Sequence, residues 1–240
     1  VVCTDAGVPG LALAIATVDL DGDVLLASQP RPKSSDVSRP WFHALGGDAA
    51  TAAYFAELAA DVDVKRLILR DTGLPLRSVH DPGAGPKRRT VPPFDGARLR
   101  NWTAECISSP TGYLYTSVTG WPSTSVETAD GDSVEVLELA VEDRRTGASV
   151  HEWLTEELRR RDVQPQPVDG FERLVFEEGA VVGAVFSTPD GPFAVRARHG
   201  VQVSRALTEQ HVDPHDAALQ IALVGRAASR FGRVELLAPR

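Results

Sequence analysis

The sequence predicts an α/β protein with a mixed sheet, built from two related hairpin–helix–strand lobes; α+β is the alternative class. Three observations carry this. Residues 10–28 (GLALAIATVDLDGDVLLAS) and 179–197 (GAVVGAVFSTPDGPFAVRA) resemble each other, with the turns Asp21-Gly22 and Asp190-Gly191 at the same offset. Beyond each, an Asp-Ala-Ala opens a helix-favouring stretch, at Asp48-Ala49-Ala50 and at Asp216-Ala217-Ala218. An apolar strand then follows, at residues 65–69 and 233–237. The implied organisation is a first lobe over 1–110, connecting strands and an amphipathic helix over 111–169, and a second, degenerate lobe over 170–240.

The elements follow in order. Residues 2–4 read as a short strand ending in Asp5-Ala6-Gly7-Val8-Pro9-Gly10, whose glycines and proline predict a tight turn. Residues 11–20 read as a buried strand, Asp21-Gly22 as a hairpin turn, and 24–28 as the return strand. Residues 30–40 form a Pro/Ser-rich loop. The Ala-rich run 49–60 favours a helix, with Asp48 as its N-cap. Residues 64–69 read as a strand, and 73–93 as a long loop. Stretches 99–107, 113–118 and 133–141 read as strands. The clearest amphipathic helix is 148–161, which sets Val150, Trp153, Leu154 and Leu158 at helical spacing. Residues 164–170, with two prolines, read as a linker.

At 240 residues, 42% hydrophobic and 24% charged, the composition is that of a globular protein. No apolar run reaches the roughly 18 residues of a membrane span, and no secretory signal is visible, so a cytoplasmic location is expected. Ala-, Val-, Arg- and Pro-rich usage suggests a bacterial source. Cys3 and Cys106 match no disulfide framework or zinc spacing and are expected to be reduced and inert. The net charge of −8 argues against tight nonspecific binding to nucleic acid. It leaves room for a local groove, for which Lys87, Arg88 and Arg89, with Arg98 and Arg100 behind them, are the candidates.

In the N-terminal third, Val2-Cys3-Thr4-Asp5 reads as a strand carrying an acid, 11–28 as a hairpin, Asp48 as the start of a helix, and Asp71 as the end of the next strand. That order resembles the opening of the ribonuclease H-like superfamily. The resemblance covers about residues 1–72. It implies a metal-dependent phosphodiester hydrolase, with Asp5, Asp48 and Asp71 as catalytic residues and as ligands of Mg²⁺ or Mn²⁺. Carboxylates converging on a metal pair about 4 Å apart can activate water and stabilise the leaving oxygen. Asp48 stands where ribonuclease H has Glu, and the second lobe offers Glu177, Glu178 and Asp216 without a third acid. Asp5-Ala6-Gly7 also resembles the strand–Asp–Gly turn of actin-like ATPases and sugar kinases. Each acid has a structural role as well: Asp48 and Asp216 as N-caps, Asp5, Asp21, Asp71 and Asp190 as turn residues. The alternative reading is therefore a non-catalytic binding or scaffold protein.

Other constellations are weaker. His211, Asp213, His215 and Asp216 are dense in ligand types, but Pro214 breaks a continuous helix there. His80 and Asp81 form an acid/base pair on paper. No nucleophile elbow, Walker loop or dinucleotide fingerprint is present. Trp102, Trp121 and Trp153 are expected to anchor the core.

Overall fold

The computed structural model describes residues 1–30, 42, 48–67, 74–80, 96–117, 122–128, 133–139, 149–204 and 219–238. Its helices are α1 (Val8–Asp19), α2 (Ala49–Leu58), α3 (Gly96–Ser108) and α4 (Val150–Arg160). Its strands are β1 (Val2–Cys3), β2 (Leu25–Ser28), β3 (Leu76–His80), β4 (Gly112–Tyr115), β5 (Thr124–Thr128), β6 (Ser133–Glu138), β7 (Gln166–Pro167), β8 (Gly170–Glu177), β9 (Ala180–Thr188), β10 (Gly191–Arg196), β11 (Val201–Val203), β12 (Gln220–Gly225) and β13 (Phe231–Ala238).

A mixed sheet takes ten of these strands, in the order β12-β6-β5-β3-β13-β4-β11-β1-β2-β7. β1 lies between two parallel neighbours, β11 and β2. β12 also pairs with β13, so β12, β6, β5, β3 and β13 close into a small five-stranded barrel at one end of the sheet. β13 belongs to both parts. Its first half pairs with β4 of the open sheet, and its second half pairs with β3 of the barrel. β8, β9 and β10 form a separate antiparallel sheet.

Side chains alternate across each strand, so the two faces feed two cores. Cys3, Tyr113, Tyr115, Ile221, Leu223, Val234 and Leu236 pack with α1 and α4. Val2, Leu114, Ala222, Val224 and Leu237 belong to the opposite core, with Phe55 of α2, Trp102 and Cys106 of α3, and Leu174 and Phe186 of the small sheet. Among the described residues, a central sheet thus lies between α1 and α4 on one side and α2, α3 and the small sheet on the other.

Several local expectations hold. Asp48 caps α2, accepting from the Ala50 and Thr51 N–H groups at 3.0 and 3.4 Å. The helix over 148–161 is α4, opened by a capping box in which Ser149 and Glu152 satisfy each other's backbone N–H groups. Residues 113–115, 133–138 and 233–237 are strands. The turn at Asp190-Gly191 joins β9 to β10 as a hairpin.

Others are corrected. Residues 11–19 are helical, not a strand: α1 is buried from Val8 to Thr17. A helix buried all round shows an unbroken apolar run, which periodicity cannot tell from a buried strand. Asp21-Gly22 therefore joins a helix to β2, and β2 runs parallel to β1. The two ends of the chain are alike in residue pattern but are not the same structural unit. Residues 64–66 form a 3₁₀ turn, and 99–107 lie within α3. The expected linker contains β7 and the first residue of β8. Strands from all three expected segments enter the one large sheet, so its hydrogen bonding does not follow the boundaries at 110 and 169.

Candidate functional site at the carboxyl edge of β1 and β11

β1 runs directly into Thr4-Asp5-Ala6-Gly7 and then α1. Gly7 is the extended N-cap, and Pro9 sits in the first turn, where its missing N–H costs nothing. The Gly7 N–H donates to Asp5 Oδ1 at 2.6 Å. A Cβ on Gly10 would stand 1.8 Å from the Asp5 carbonyl oxygen, so the helix lies against the strand end as closely as backbone allows. Gln29, just after β2, donates its amide to the Thr4 carbonyl at 2.7 Å. From α4, His151 Nε2 lies 3.1 Å from the Ala6 carbonyl. Three elements therefore hold this turn.

Beside it, β11 carries Gln202 opposite Cys3. Gln202 is 0% exposed, yet neither its Nε2 nor its Oε1 has a hydrogen-bond partner. Ser204, one residue beyond β11, and Thr4, one beyond β1, are buried with hydroxyl oxygens in the same condition. Val201 and Val203 join the core opposite α1, so alternation places Gln202 on the α1 face. A carboxamide offers two donors and one acceptor oxygen with two lone pairs. Leaving such a group buried and unpaired costs about 1–3 kcal/mol, and native structures keep few of them without a reason. In open α/β sheets, the crevice beyond the carboxyl ends of the strands, where neighbouring connections diverge, is where ligands bind. Here β1 crosses by α1 to β2 on one side and borders β11 on the other. The first turn of α1 adds the Val8 and Gly10 N–H groups, which have no intrahelical acceptor.

Of the predicted acids, Asp5 lies at this edge, 4% exposed. Asp48 is the α2 cap. The Thr51 hydroxyl holds its carboxyl below the ordinary value, helped by the Thr51 and Ala50 N–H groups and opposed by partial burial. The helix that Asp5 leads into and the helix that Asp48 caps pack on opposite faces of the large sheet. Asp71 lies outside the described residues, as do Lys87, Arg88, Arg89, Asp81, Asp216 and the His211–His215 cluster. Among the described residues, no group of three or more His, Cys, Asp or Glu side chains is placed to hold a metal ion. The described residues thus assemble no shared Mg²⁺ or Mn²⁺ centre. No described helix is long and apolar enough to cross a membrane.

A second polar constellation sits on β13. Glu235 is 0% exposed and is gripped by two arginines. Arg77 of β3 donates through Nε and Nη2, the latter at 2.9 Å to Oε1. Arg233 donates through Nε to the same Oε1. The Arg233 guanidinium lies 5.0 Å from the Trp102 ring centre and 3.4 Å from Glu105. Cys106 neighbours this network, and burial pushes its thiol well above the ordinary range. Every charge here has an opposite partner, which is how a structural network is arranged.

Scans of protein-family models and searches of curated proteins and solved structures find no match to this chain. The site must therefore be read from its own chemistry. Gln202, Ser204 and Thr4 were not singled out by the sequence. The available signal was a glutamine inside Val-Gln-Val, an amide where a covered strand ordinarily carries an apolar residue.

Proposed function

We propose that this chain is a binding protein for a small polar ligand, seated at the carboxyl edge of β1 and β11 beside the start of α1. The Gln202 amide carries this reading: it is fully buried and makes no hydrogen bond. A ligand supplying the missing partners would stabilise the fold by its binding free energy. The reading agrees with the non-catalytic alternative drawn from the sequence. It leaves Asp5 as the group that shapes the β1–α1 turn.

The test is Gln202→Leu, followed by thermal unfolding without and with ligand. Replacing an unpaired amide by an apolar side chain of similar size should raise the unliganded Tm by several degrees, given about 2–4 °C per kcal/mol for a chain of this length. The same variant should lose any ligand-induced rise. A fall in unliganded stability would mean that the amide is satisfied in solution, and the proposal would fail. Titration with Mg²⁺ or Mn²⁺ should leave Tm unchanged. A rise that disappears in Asp5→Asn would instead favour the metal-dependent hydrolase.

A further inference from the structure

We infer that the free edge of β10 pairs with the same edge of a second copy of this chain, joining two three-stranded sheets into one of six strands. β9 is the middle strand of its sheet, so β8 and β10 are the edges. The two edges differ. On β8 the buried Leu174 N–H donates to the Thr51 hydroxyl of α2 at 3.0 Å, so that edge lies against a helix. Just past β10, the Ala197 N–H donates to the Val182 carbonyl of β9. Alternation then turns the backbone groups of Val195 and Phe193 toward β9, and those of Pro192, Ala194 and Arg196 away from it. Among the described residues, nothing hydrogen-bonds the Ala194 or Arg196 backbone on that outer side. Such a row of unpaired N–H and C=O groups is a template for another strand.

The strand is complementary to itself in the antiparallel register centred on Ala194. There the two Ala194 residues exchange both backbone bonds, and each Arg196 N–H donates to the Pro192 carbonyl of the other copy. Phe193 comes opposite Val195 of the other copy. Within its own chain Phe193 pairs with Phe186, and Phe186 with Phe171, so Phe193 ends an apolar row across the sheet. Phe186 is fully buried, but Phe193 is 37% exposed. The second copy extends the row and covers its end. The same register brings Asp190, in the β9–β10 turn, to Arg198 of the other copy. Both are exposed. Within its own chain Arg198 has only a solvated pair with Asp23 at 3.6 Å, of a kind worth little. A centre at Arg196 sets two guanidiniums opposite each other, and a centre at Val195 sets them on the diagonal. A centre at Pro192 or Phe193 gives fewer bonds, because proline has no N–H to share with the facing residue. With α2 against β8, pairing consumes the open edge of the sheet and stops at two copies, as a two-fold contact does.

A strand edge this short buries less than a standard interface, so a dissociation constant on the order of 10–100 µM is expected. Sedimentation velocity of the purified full chain from about 1 µM to about 1 mM brackets that value. It should show a monomer–dimer equilibrium, and the Ala194 and Arg196 amides should exchange more slowly as concentration rises. Ala194→Pro removes the outward N–H and leaves the β9 ladder intact. Phe193→Lys puts a charge at an edge position that is already exposed. Each should weaken dimerisation at least about tenfold with circular dichroism unchanged, and Phe193→Lys decides the matter if the proline variant does not fold. Asp190→Lys and Arg198→Glu should each weaken it about twofold to fivefold, and the double variant should recover most of the loss. A monomer throughout the range, association beyond two copies, or a dimer that Phe193→Lys leaves intact would overturn the inference. These substitutions share no residue with the ligand site, and failure of the Gln202→Leu test would leave this interface standing.

Discussion

Glu235 is a carboxylate without solvent, and its worth depends on two neighbours. Removing it takes the hydrogen-bonding carboxylate from the part-buried Arg77 and leaves Arg233 with Glu105 and the Trp102 ring alone. Glu235→Leu should destabilise by about 3–5 kcal/mol, read as a lower midpoint in urea. Exchanging all three residues for apolar ones of similar volume should recover most of that loss, which a simple count of ion pairs would not expect. Asp48 makes a smaller and titratable contribution. Its folded-state pKa lies below its unfolded value, so its stabilisation is present above the unfolded carboxylate pKa and fades as pH falls through the folded one. Asp48→Ala should cost about 1 kcal/mol at neutral pH. The gap between variant and wild type should close in acid, which denaturation midpoints from pH 7 to pH 2 would follow. The thiols report on the same interior. Burial pushes Cys3 up to about 12 and Cys106 well above the ordinary value. Neither should react with a disulfide reagent at pH 8 until the chain unfolds, when both should.

At the scale of elements, α1 is the sharpest case. Glycine inside a helix ordinarily costs about 1 kcal/mol against alanine, yet Gly10→Ala should destabilise by about 1–3 kcal/mol. The added carbon meets the Asp5 carbonyl, which cannot move without shifting β1. Thermal unfolding of that one variant decides between propensity and packing. The same element shows how far a sequence can be read. α4 was legible because one face meets a core and the other meets water, and because Ser149 and Glu152 mark its start. α1 was not, because its burial on every side erases the periodic signal, and Pro9-Gly10 looks like a turn when it is a helix start. α3 was read as a strand from its local run of residues. What makes it a helix is its covering of β4 and β13 through Trp102, Cys106 and Ile107, partners remote in sequence. Asp48 was legible as a cap because capping is local. Gln202 was not legible as a site residue, since its burial depends on β1, β4 and α1 together, and these are brought to it only by the folded sheet.

For the whole molecule, β13 matters most. It carries ladders to β4, β3 and β12, so the open sheet and the barrel cannot separate without breaking it. Unfolding should therefore be a single transition. Tryptophan fluorescence, with Trp102 and Trp153 in the two different cores, should trace the same urea curve as far-ultraviolet circular dichroism. Separated midpoints would show that barrel and sheet melt independently.

The position of β1 between β2 and β11 bears on how the chain is made. Val2 and Cys3 find one parallel neighbour about twenty residues later and the other only at Val201 and Gln202. At roughly 5–20 residues per second, a ribosome needs about 10–40 s to deliver that second neighbour. Throughout that interval the oily length of α1 has no finished sheet to lie on. A nascent chain of this design waits for β11 and then for β12 and β13, which also lie against α1, and holding chaperones have their opening until those strands emerge.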